Sequence, residues 1–321
     1  MPVWLSESDV HHALSMSELI DAMQTALAAF STGKVIQPVR SVVEFHPKDF
    51  FALMPACDPE ANLMGAKLVT VVPDNASRGL PSHQAIIALF DATTGEVLAV
   101  TDGRLITESR TAAVSAVSAR HLARANARTL AIIGTGVQAR SHLDALTLVR
   151  DFQEIRAWSP NAARLQAFVD AAPRPVRAAA SAGEAVRGAD VVVLATSAVT
   201  PVIQGAWIAP GTHVIGVGAC RPTQRETDGA LVARATLVVD SRAAALVESG
   251  DILLAIAEGH IDSGHIHAEL GEIVAGCKPG RRLADEITFF KSLGLAIEDV
   301  VSAGLAYRRA TVTARGTKVA L

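Results

Sequence analysis

The apolar positions of the chain change their spacing along the sequence, and each spacing predicts a different kind of element. Over residues 9–31 they recur at helical spacing, which predicts one helix that ends before Gly33. From residue 40 to residue 100 they form short runs between turn residues, which favours an antiparallel or mixed sheet. The predicted strands are Val42–Val43, Phe51–Met54, Lys67–Val72, Ala85–Phe90 and Val97–Val100, with a hairpin loop at Asp91–Glu96.

Strands and helices alternate in the rest of the chain. A helix is predicted over Thr107–Arg124 and another over residues 296–313, which we expect to pack on the first domain. The strands between them are apolar throughout, as in a parallel sheet that is covered on both faces. These strands are Leu130–Ile133, Ile155–Trp158, Asp190–Ala195, His213–Val217, Thr236–Asp240 and Ile287–Phe290. The pattern predicts an α/β fold.

Composition and charge exclude several classes of protein. A length of 321 residues suggests about two domains, and 50% hydrophobic residues allow a sizeable core. The net charge is -3 and dispersed, so no nucleic-acid face or polybasic membrane anchor is predicted. No apolar run approaches the roughly 18 residues of a membrane span, and the N-terminus lacks a signal region. We expect a soluble protein without nucleic-acid or membrane partners.

Cysteines and histidines indicate neither a disulfide scaffold nor a metal site. Cys57, Cys220 and Cys277 are odd in number and far apart, which is typical of a reduced, cytoplasmic protein. His260, His265 and His267 fit no metal-ligand spacing and are interpreted as loop residues. No metal is therefore predicted.

A glycine-rich turn between a predicted strand and a predicted helix matches the G-x-G-x-x-A dinucleotide fingerprint. Gly134 permits the tight turn, Gly136 lets a pyrophosphate approach the backbone, and Ala139 lets the helix pack closely on the strand. The free N–H groups at the start of that helix suit a diphosphate. The expected cofactor-binding residues here are Gly134, Thr135, Gly136, Val137 and Gln138.

The end of the next strand bears on the choice between NAD and NADP. An acidic residue that would bind a ribose 2′-hydroxyl is missing after Trp158, where Ser159, Asn161 and Arg164 stand instead. Small polar groups and an arginine accommodate a 2′-phosphate, which a carboxylate would repel. We therefore expect NADPH to be preferred, with NADH possible. Ser159 and Asn161 also suit caps of the following helix, and both roles are compatible.

Three cationic residues and one cysteine are candidates for substrate binding or catalysis. Lys67 opens an apolar run, and Arg110 lies in a helix of small residues, so each cation needs a partner if it is not on the surface. A substrate carboxylate, held by an arginine fork, would be such a partner for Arg40, Lys67 and Arg110. Cys220 follows a parallel strand at the edge where ligands bind, although a small buried thiol is the alternative.

Taken together, the motifs resemble those of the ornithine cyclodeaminase/mu-crystallin family over nearly the whole chain. They are Gly65–Lys67, Gly79–Gln84, Thr107–Ala113, Gly134–Ala139, Gly216–Pro222, Val239–Ser241, Glu248–Asp251, Ala268–Glu272 and Phe290–Gly294. The resemblance implies a Rossmann nucleotide-binding domain, residues 120–294, inserted into an α+β substrate-binding and dimerisation domain, residues 1–119 and 295–321. It also implies a homodimer.

The resemblance also implies roles for single residues. Arg40, Lys67 and Arg110 match the residues that bind the substrate carboxylate, and Lys67 is a candidate proton donor. Ser82, Cys220 and Glu248 are further candidate catalytic residues. His83 matches a position beside the nicotinamide. The remaining implied cofactor-binding residues are Arg110, Thr111, Thr196, Ser197, Val217, Gly218 and Ser292.

Two residues depart from the cyclodeaminase pattern, and they favour one of the activities found in the family. Ala52 and Cys220 stand where cyclodeaminases keep a glutamate and an aspartate. Because neither side chain is a carboxylate base, the resemblance favours the ketimine reductase side of the family. The expected activity is NAD(P)H-dependent reduction of a cyclic imino acid, Δ1-pyrroline-2-carboxylate or Δ1-piperideine-2-carboxylate. Alternatives are an alanine dehydrogenase-like enzyme, an ornithine cyclodeaminase, and a non-catalytic NADPH-dependent binding protein.

Overall fold

The computed structural model of the protein describes residues 1–320, which form two compact units. One unit comprises residues 1–110 and the described residues from 294 onwards, and the other comprises Thr111–Leu293. The first is thus built from both chain ends and the second from one continuous segment. The division after Arg110 falls nine residues before the boundary that the sequence analysis placed after residue 119.

The helices and strands are numbered along the chain. The strands are β1 (Val3–Leu5), β2 (Ser41–His46), β3 (Asp49–Asp58), β4 (Leu63–Val71), β5 (His83–Phe90), β6 (Val97–Asp102), β7 (Thr129–Ile133), β8 (Glu154–Trp158), β9 (Arg177–Ala178), β10 (Val191–Leu194), β11 (His213–Gly216), β12 (Thr236–Val239), β13 (Ile266–Glu269), β14 (Thr288–Lys291) and β15 (Thr317–Lys318). The helices are α1 (Glu7–Ala13), α2 (Met16–Ser31), α3 (Arg104–Leu122), α4 (Val137–Leu146), α5 (Ala162–Asp170), α6 (Ala182–Val186), α7 (Gly229–Arg234), α8 (Arg242–Glu248), α9 (Gly250–Ala257), α10 (Leu270–Val274) and α11 (Ala296–Val312).

The sheet of the first unit has the strand order β15-β1-β6-β5-β4-β3-β2. Neighbouring strands from β2 to β6 are antiparallel, and β1 pairs parallel to β6. Helix α11 lies on β3, β4 and β5. A Cβ atom on Gly65 of β4 would collide with the carbonyl of Ala88 and press on Val300 of α11. This glycine therefore lets the last helix approach the sheet closely at Val300, the residue that follows the buried Glu298 and Asp299.

Two predicted helices have different bounds in the structure. The single helix expected over residues 9–31 is wrong, because Leu14 adopts an extended conformation between α1 and α2. Apolar spacing continues across this break, which is why it was missed. Helix α3 begins at Arg104 rather than Thr107, since the Asp102 carboxylate accepts a hydrogen bond from the Leu105 N–H over 2.9 Å. Arg110 consequently lies in the second turn.

The second unit is a parallel sheet with helices between its strands, as the apolar strand pattern predicts. Its strand order is β13-β12-β14-β11-β10-β7-β8-β9. The central strands β7, β10, β11 and β14 are fully or almost fully buried. This is the doubly wound arrangement of a nucleotide-binding domain, in which ligands bind at the carboxyl ends of the strands. Among residues 1–320, no helix combines the length and the apolarity needed to cross a membrane.

Candidate functional site

The first unit buries a lysine directly against a carboxylate. Side chains of β4 alternate in burial, and Lys67 lies on the covered face between Gly65 and Val69. Only 2% of its side chain is exposed. Its ammonium forms an ion pair with Asp299, with 2.6 Å between Nζ and Oδ2, and donates to the Thr107 hydroxyl over 3.4 Å. A lysine this deeply buried requires such a partner.

Arg110 contacts two buried carboxylates at the start of α11. Its Nε donates to Asp299 Oδ1 over 3.1 Å, and a terminal nitrogen donates to Glu298 Oε2 over 2.7 Å. Neither Glu298 nor Asp299 is exposed to solvent. Asp299 is thus shared between Arg110 and Lys67.

Arg40 and Arg110 both lie beside Gly294. Arg40 is half-buried and donates to the Gly294 carbonyl over 3.0 Å. Gly294 has a φ of 85°, and a Cβ atom there would collide with the guanidinium of Arg110. Because glycine has no side chain and tolerates this backbone conformation, it lets both guanidinium groups occupy the same region.

The charges of this cluster set the protonation of its members. Burial lowers the pKa of Lys67 to about 8, helped by Arg110 and Arg40, while the Asp299 charge opposes the shift. Burial and the charges of Lys67 and Arg110 also lower the pKa of His83 to about 4. Burial alone would raise the pKa of Asp299, but Arg110 and Lys67 hold it below its ordinary value. Near neutral pH the cluster therefore contains a cationic lysine, a neutral histidine and an ionised aspartate.

The partners of the buried cations were not predicted from the sequence. Lys67 and Arg110 are buried, but their partners are Glu298 and Asp299 of the chain itself. In the sequence these two acidic residues stand in the first turn of a helix, where they are ordinarily solvated and favoured by the helix dipole. The motif Phe290–Gly294, which ends four residues before Glu298, is a signal in the sequence that could have pointed to them.

The glycine-rich turn of the second unit has the shape that a diphosphate requires. Gly134 has a φ of 110°, and a Cβ atom there would collide with the Ala195 carbonyl. A Cβ atom on Gly136 would meet no other atom within 4 Å, so this side of the turn is open. Helix α4 begins at Val137 without a side-chain cap, and Ala139 is fully buried under it. The exposed start of α4 thus fits the pyrophosphate of a dinucleotide. Thr135 and Gln138 are half-buried in the same turn.

The residues after β8 form a helix cap. The Asn161 side chain accepts from the Arg164 N–H over 2.9 Å, and the Ser159 hydroxyl accepts from the Asn161 N–H over 3.4 Å. The predicted capping role is confirmed for Asn161. Arg164 is exposed and Ser159 is half-buried, and no acidic side chain stands at the tip of the strand.

A buried glutamate joins the loops that follow β10 and β11. Glu226 accepts from the N–H and hydroxyl of Thr196 over 2.7 and 2.8 Å, and from the Gly218 N–H over 2.7 Å. Its own N–H donates to Asp251 Oδ1 over 2.8 Å, and Asp251 Oδ2 lies 3.0 Å from Lys291 Nζ. These charges, missed in the sequence, fix the strand ends at which two predicted cofactor residues stand.

The structure divides the other predicted residues between the two units. Ser82 is exposed just before β5, and His83 is the first residue of that strand. Cys220 is exposed, so the alternative of a buried thiol is wrong, and its Sγ donates to the Val217 carbonyl over 3.3 Å. In the second unit Thr111, Val217 and Ser292 are buried, Glu248 is half-buried and Ser197 is exposed.

Comparison with known proteins gives one consistent result. The pattern of the ornithine cyclodeaminase/mu-crystallin family matches residues 2–314. The ketimine reductase mu-crystallin of Rattus norvegicus is 43% identical over 311 residues, which cover 95% of this chain and 96% of the relative.

Two solved structures have nearly the same fold. Δ1-pyrroline-2-carboxylate reductase from Thermococcus litoralis, in complex with NADH and L-proline, is 40% identical with a TM-score of 0.96, covering 99% of this chain and 100% of that chain. An archaeal alanine dehydrogenase dimer with bound NAD is 34% identical with a TM-score of 0.95, covering 99% of each chain.

Proposed function

Because the chain belongs to the ornithine cyclodeaminase/mu-crystallin family, we propose that it is an NADPH-dependent reductase of a small cyclic imino acid. Its substrate would be Δ1-pyrroline-2-carboxylate or Δ1-piperideine-2-carboxylate, and its product L-proline or L-pipecolate. The observation that carries this proposal is the buried cluster of Lys67, Arg110 and Asp299. A bound NADPH would supply the hydride that reduces the C=N bond.

The charge of the cluster suits a single carboxylate. Arg40, Lys67 and Arg110 contribute three positive charges, and Glu298 and Asp299 contribute two negative ones. These cations are the groups that would attract the carboxylate of the substrate. A carboxylate held by these cations would also be oriented, since arginine binds carboxylates through a planar fork. Arg40 and Arg110 would thus clamp the substrate while Lys67 faces its nitrogen.

The second unit would hold the cofactor. Gly134, Thr135, Gly136, Val137 and Gln138 would bind the diphosphate, and Thr196, Ser197, Val217, Gly218 and Ser292 the nicotinamide half, with Thr111 beside them. The family resemblance also implies a cofactor-binding role for His83 and Arg110. NADPH is preferred in this proposal because Ser159, Asn161 and Arg164 place no carboxylate where a 2′-phosphate would bind.

Ornithine cyclodeaminase activity is disfavoured by two positions. Ala52 is buried on β3, and its cross-strand partner Val69 is two residues from Lys67 on β4. A glutamate at this position would therefore lie on the same sheet face as Lys67, but alanine is no base. Cys220 provides a thiol in place of the second acid, and Ser82 and Glu248 are the remaining candidate catalytic residues. Imine reduction does not require an amine of the substrate to be deprotonated first.

An alanine dehydrogenase is the second candidate, supported by the 0.95 TM-score of the archaeal structure. That reaction needs ammonia as a co-substrate, and its imine is acyclic. A non-catalytic NADPH-dependent binding protein would keep the cofactor site without turnover. Incubation with NADPH and five- and six-membered cyclic imino acids, followed by chiral analysis of the products, tests the proposal. L-proline or L-pipecolate is the expected product, and unchanged NADPH with both substrates contradicts it.

We also propose a cytoplasmic homodimer. One face of the first sheet exposes Val43, Phe51, Leu53 and Ile86, which are between 38% and 59% accessible. The cross-strand pairs Val43–Phe51 and Ser41–Leu53 place these side chains on one surface. An apolar surface of this kind is typical of a protein interface. Cys57, Cys220 and Cys277 are free thiols, in keeping with a reducing compartment.

A further inference from the structure

We propose that Asp299 is a positioning residue that keeps Lys67 positively charged and oriented towards the substrate. Lys67 can then deliver the proton to the imine nitrogen. This inference rests on the proposed imine reduction. It concerns a residue in the last helix that lies outside every motif used to recognise the chemistry.

The geometry of Lys67 leaves one direction for a substrate. An ammonium has three N–H donors. The ammonium forms an ion pair with Asp299 Oδ2, 2.6 Å away, and donates one N–H to the Thr107 hydroxyl, 3.4 Å away. That hydroxyl donates its own proton to the Gly103 carbonyl over 2.7 Å, so it faces Lys67 as an acceptor. Within the described part of the chain no further acceptor is hydrogen-bonded to Nζ, so in this proposal the third N–H would be donated to a substrate nitrogen.

Among the described residues, Asp299 is the carboxylate that forms an ion pair with this ammonium. The groups that face Lys67 are Asp299 from α11, Thr107 and Arg110 from α3, His83 from β5, and Arg40 from the segment before β2. Burial and the two arginines act against a charge on Lys67, and His83 is neutral near pH 7. Glu298 contacts Arg110 instead. Without the Asp299 charge, the lysine would lose its proton at a lower pH than it does now.

The proposed step balances in protons and electrons. The hydride adds to C2 of the cyclic imine, the π electrons of the C=N bond move to nitrogen, and that nitrogen takes a proton from Lys67 Nζ. Lys67 would become a neutral amine and regain its proton from solvent, and a bound NADPH would supply the two electrons as the hydride. Asp299 stays ionised throughout, because Arg110 also binds it.

The pH dependence of imine reduction tests this role. Since Lys67 must be protonated, kcat/KM of the wild type should fall as the pH rises through about 8. In Asp299→Asn this alkaline limb should move to lower pH by roughly 1–3 units, the usual effect of an opposite charge within 4–6 Å. Glu298→Gln is the matched control, because it removes a buried carboxylate from the same helical turn. It should raise KM but displace the limb less than Asp299→Asn does.

A second readout does not depend on turnover. Calorimetry in buffers of different ionisation enthalpy measures the number of protons released when L-proline binds. The cationic amine of L-proline beside Lys67 should cause the wild type to release a proton near pH 7. Asp299→Asn should release less. If Asp299→Asn does not fold, Asp299→Glu provides the test, because it retains the negative charge. Its kcat/KM should fall at the same alkaline pH as in the wild type, with a lower kcat.

Three results would overturn the role of Asp299: an unmoved limb in Asp299→Asn, an equal displacement in Glu298→Gln, or a displaced limb in Asp299→Glu. An inactive wild type would instead refute the proposed function itself.

Discussion

The ammonium of Lys67 and the carboxylate of Asp299 lie 2.6 Å apart, although one belongs to a central strand of the first sheet and the other to the last helix. Gly65 favours this contact, because a Cβ atom there would collide with the Ala88 carbonyl of β5 and press on Val300 of α11. The proposed substrate site therefore depends on both ends of the chain folding together.

Removal of Arg110 should damage both stability and catalysis. Arg110→Ala leaves the Glu298 and Asp299 carboxylates buried without this guanidinium, which costs about 3–5 kcal/mol in comparable buried pairs. We expect a lower free energy of unfolding and at least a ~10²-fold loss in kcat/KM, at about 1.4 kcal/mol per decade. The double variant Arg110→Met/Glu298→Gln should regain part of the stability and none of the activity. Denaturant unfolding measures the stability of each variant, and steady-state kinetics measures its activity. A normal kcat/KM in Arg110→Ala would show that Arg110 has no part in the substrate site.

A lysine that acts as a proton donor cannot be replaced by arginine. Lys67→Arg keeps the positive charge but holds its proton at every accessible pH. We expect a loss of roughly 10²-fold or more in kcat, within the range typical of general acid catalysis, and no alkaline limb between pH 7 and pH 9. If the variant retains the alkaline limb of the wild type, another group is responsible for it.

The sequence predicted those parts of the site that depend on local chain geometry. The turn of Gly134 and Gly136 lies where its motif placed it, since a fingerprint describes a strand, a turn and a helix that are adjacent in sequence. The family and the fold class are confirmed. Glu298 and Asp299 were missed because their burial results from a helix packing on a distant strand, which no local pattern records. The break at Leu14 was missed because apolar spacing continues across it.

The cofactor preference should depend on the residue after Trp158. Ser159→Asp would place a carboxylate where the 2′-phosphate of NADPH is proposed to bind, and should shift the preference towards NADH. Ser197→Asp is a suitable comparison, because Ser197 is exposed in a loop distant in sequence from β8 and proposed to serve the nicotinamide half. The ratio of kcat/KM values for NADPH and NADH measures the preference. A wild type that favours NADH would refute the assignment.

The exposed sheet face should hold the dimer together. Phe51→Glu introduces a charge into the apolar surface shared with Val43 and Leu53, and desolvation of that charge should shift the protein to a monomer. Val312→Glu, at the exposed end of α11, is the control and should not change the molar mass. Light scattering after size-exclusion chromatography distinguishes the two states. An unchanged mass for Phe51→Glu would exclude this face as the interface.

Ornithine should not be a substrate. Its conversion to proline requires several proton transfers that depend on a positioned base, and Ala52 and Cys220 replace the two acids of the cyclodeaminases. Incubation with ornithine and catalytic NAD⁺ should give neither ammonia nor proline. Steady release of both would overturn this prediction and favour the cyclodeaminase alternative.

The most direct test of the account compares kcat/KM for NADPH oxidation with Δ1-pyrroline-2-carboxylate against that with pyruvate plus ammonia, in the same buffer. We predict a higher value with the cyclic imine, together with one L-proline formed for each NADPH consumed. A higher value with pyruvate and ammonia, or ligand binding without NADPH oxidation, would contradict the proposal that this protein is an imino-acid reductase.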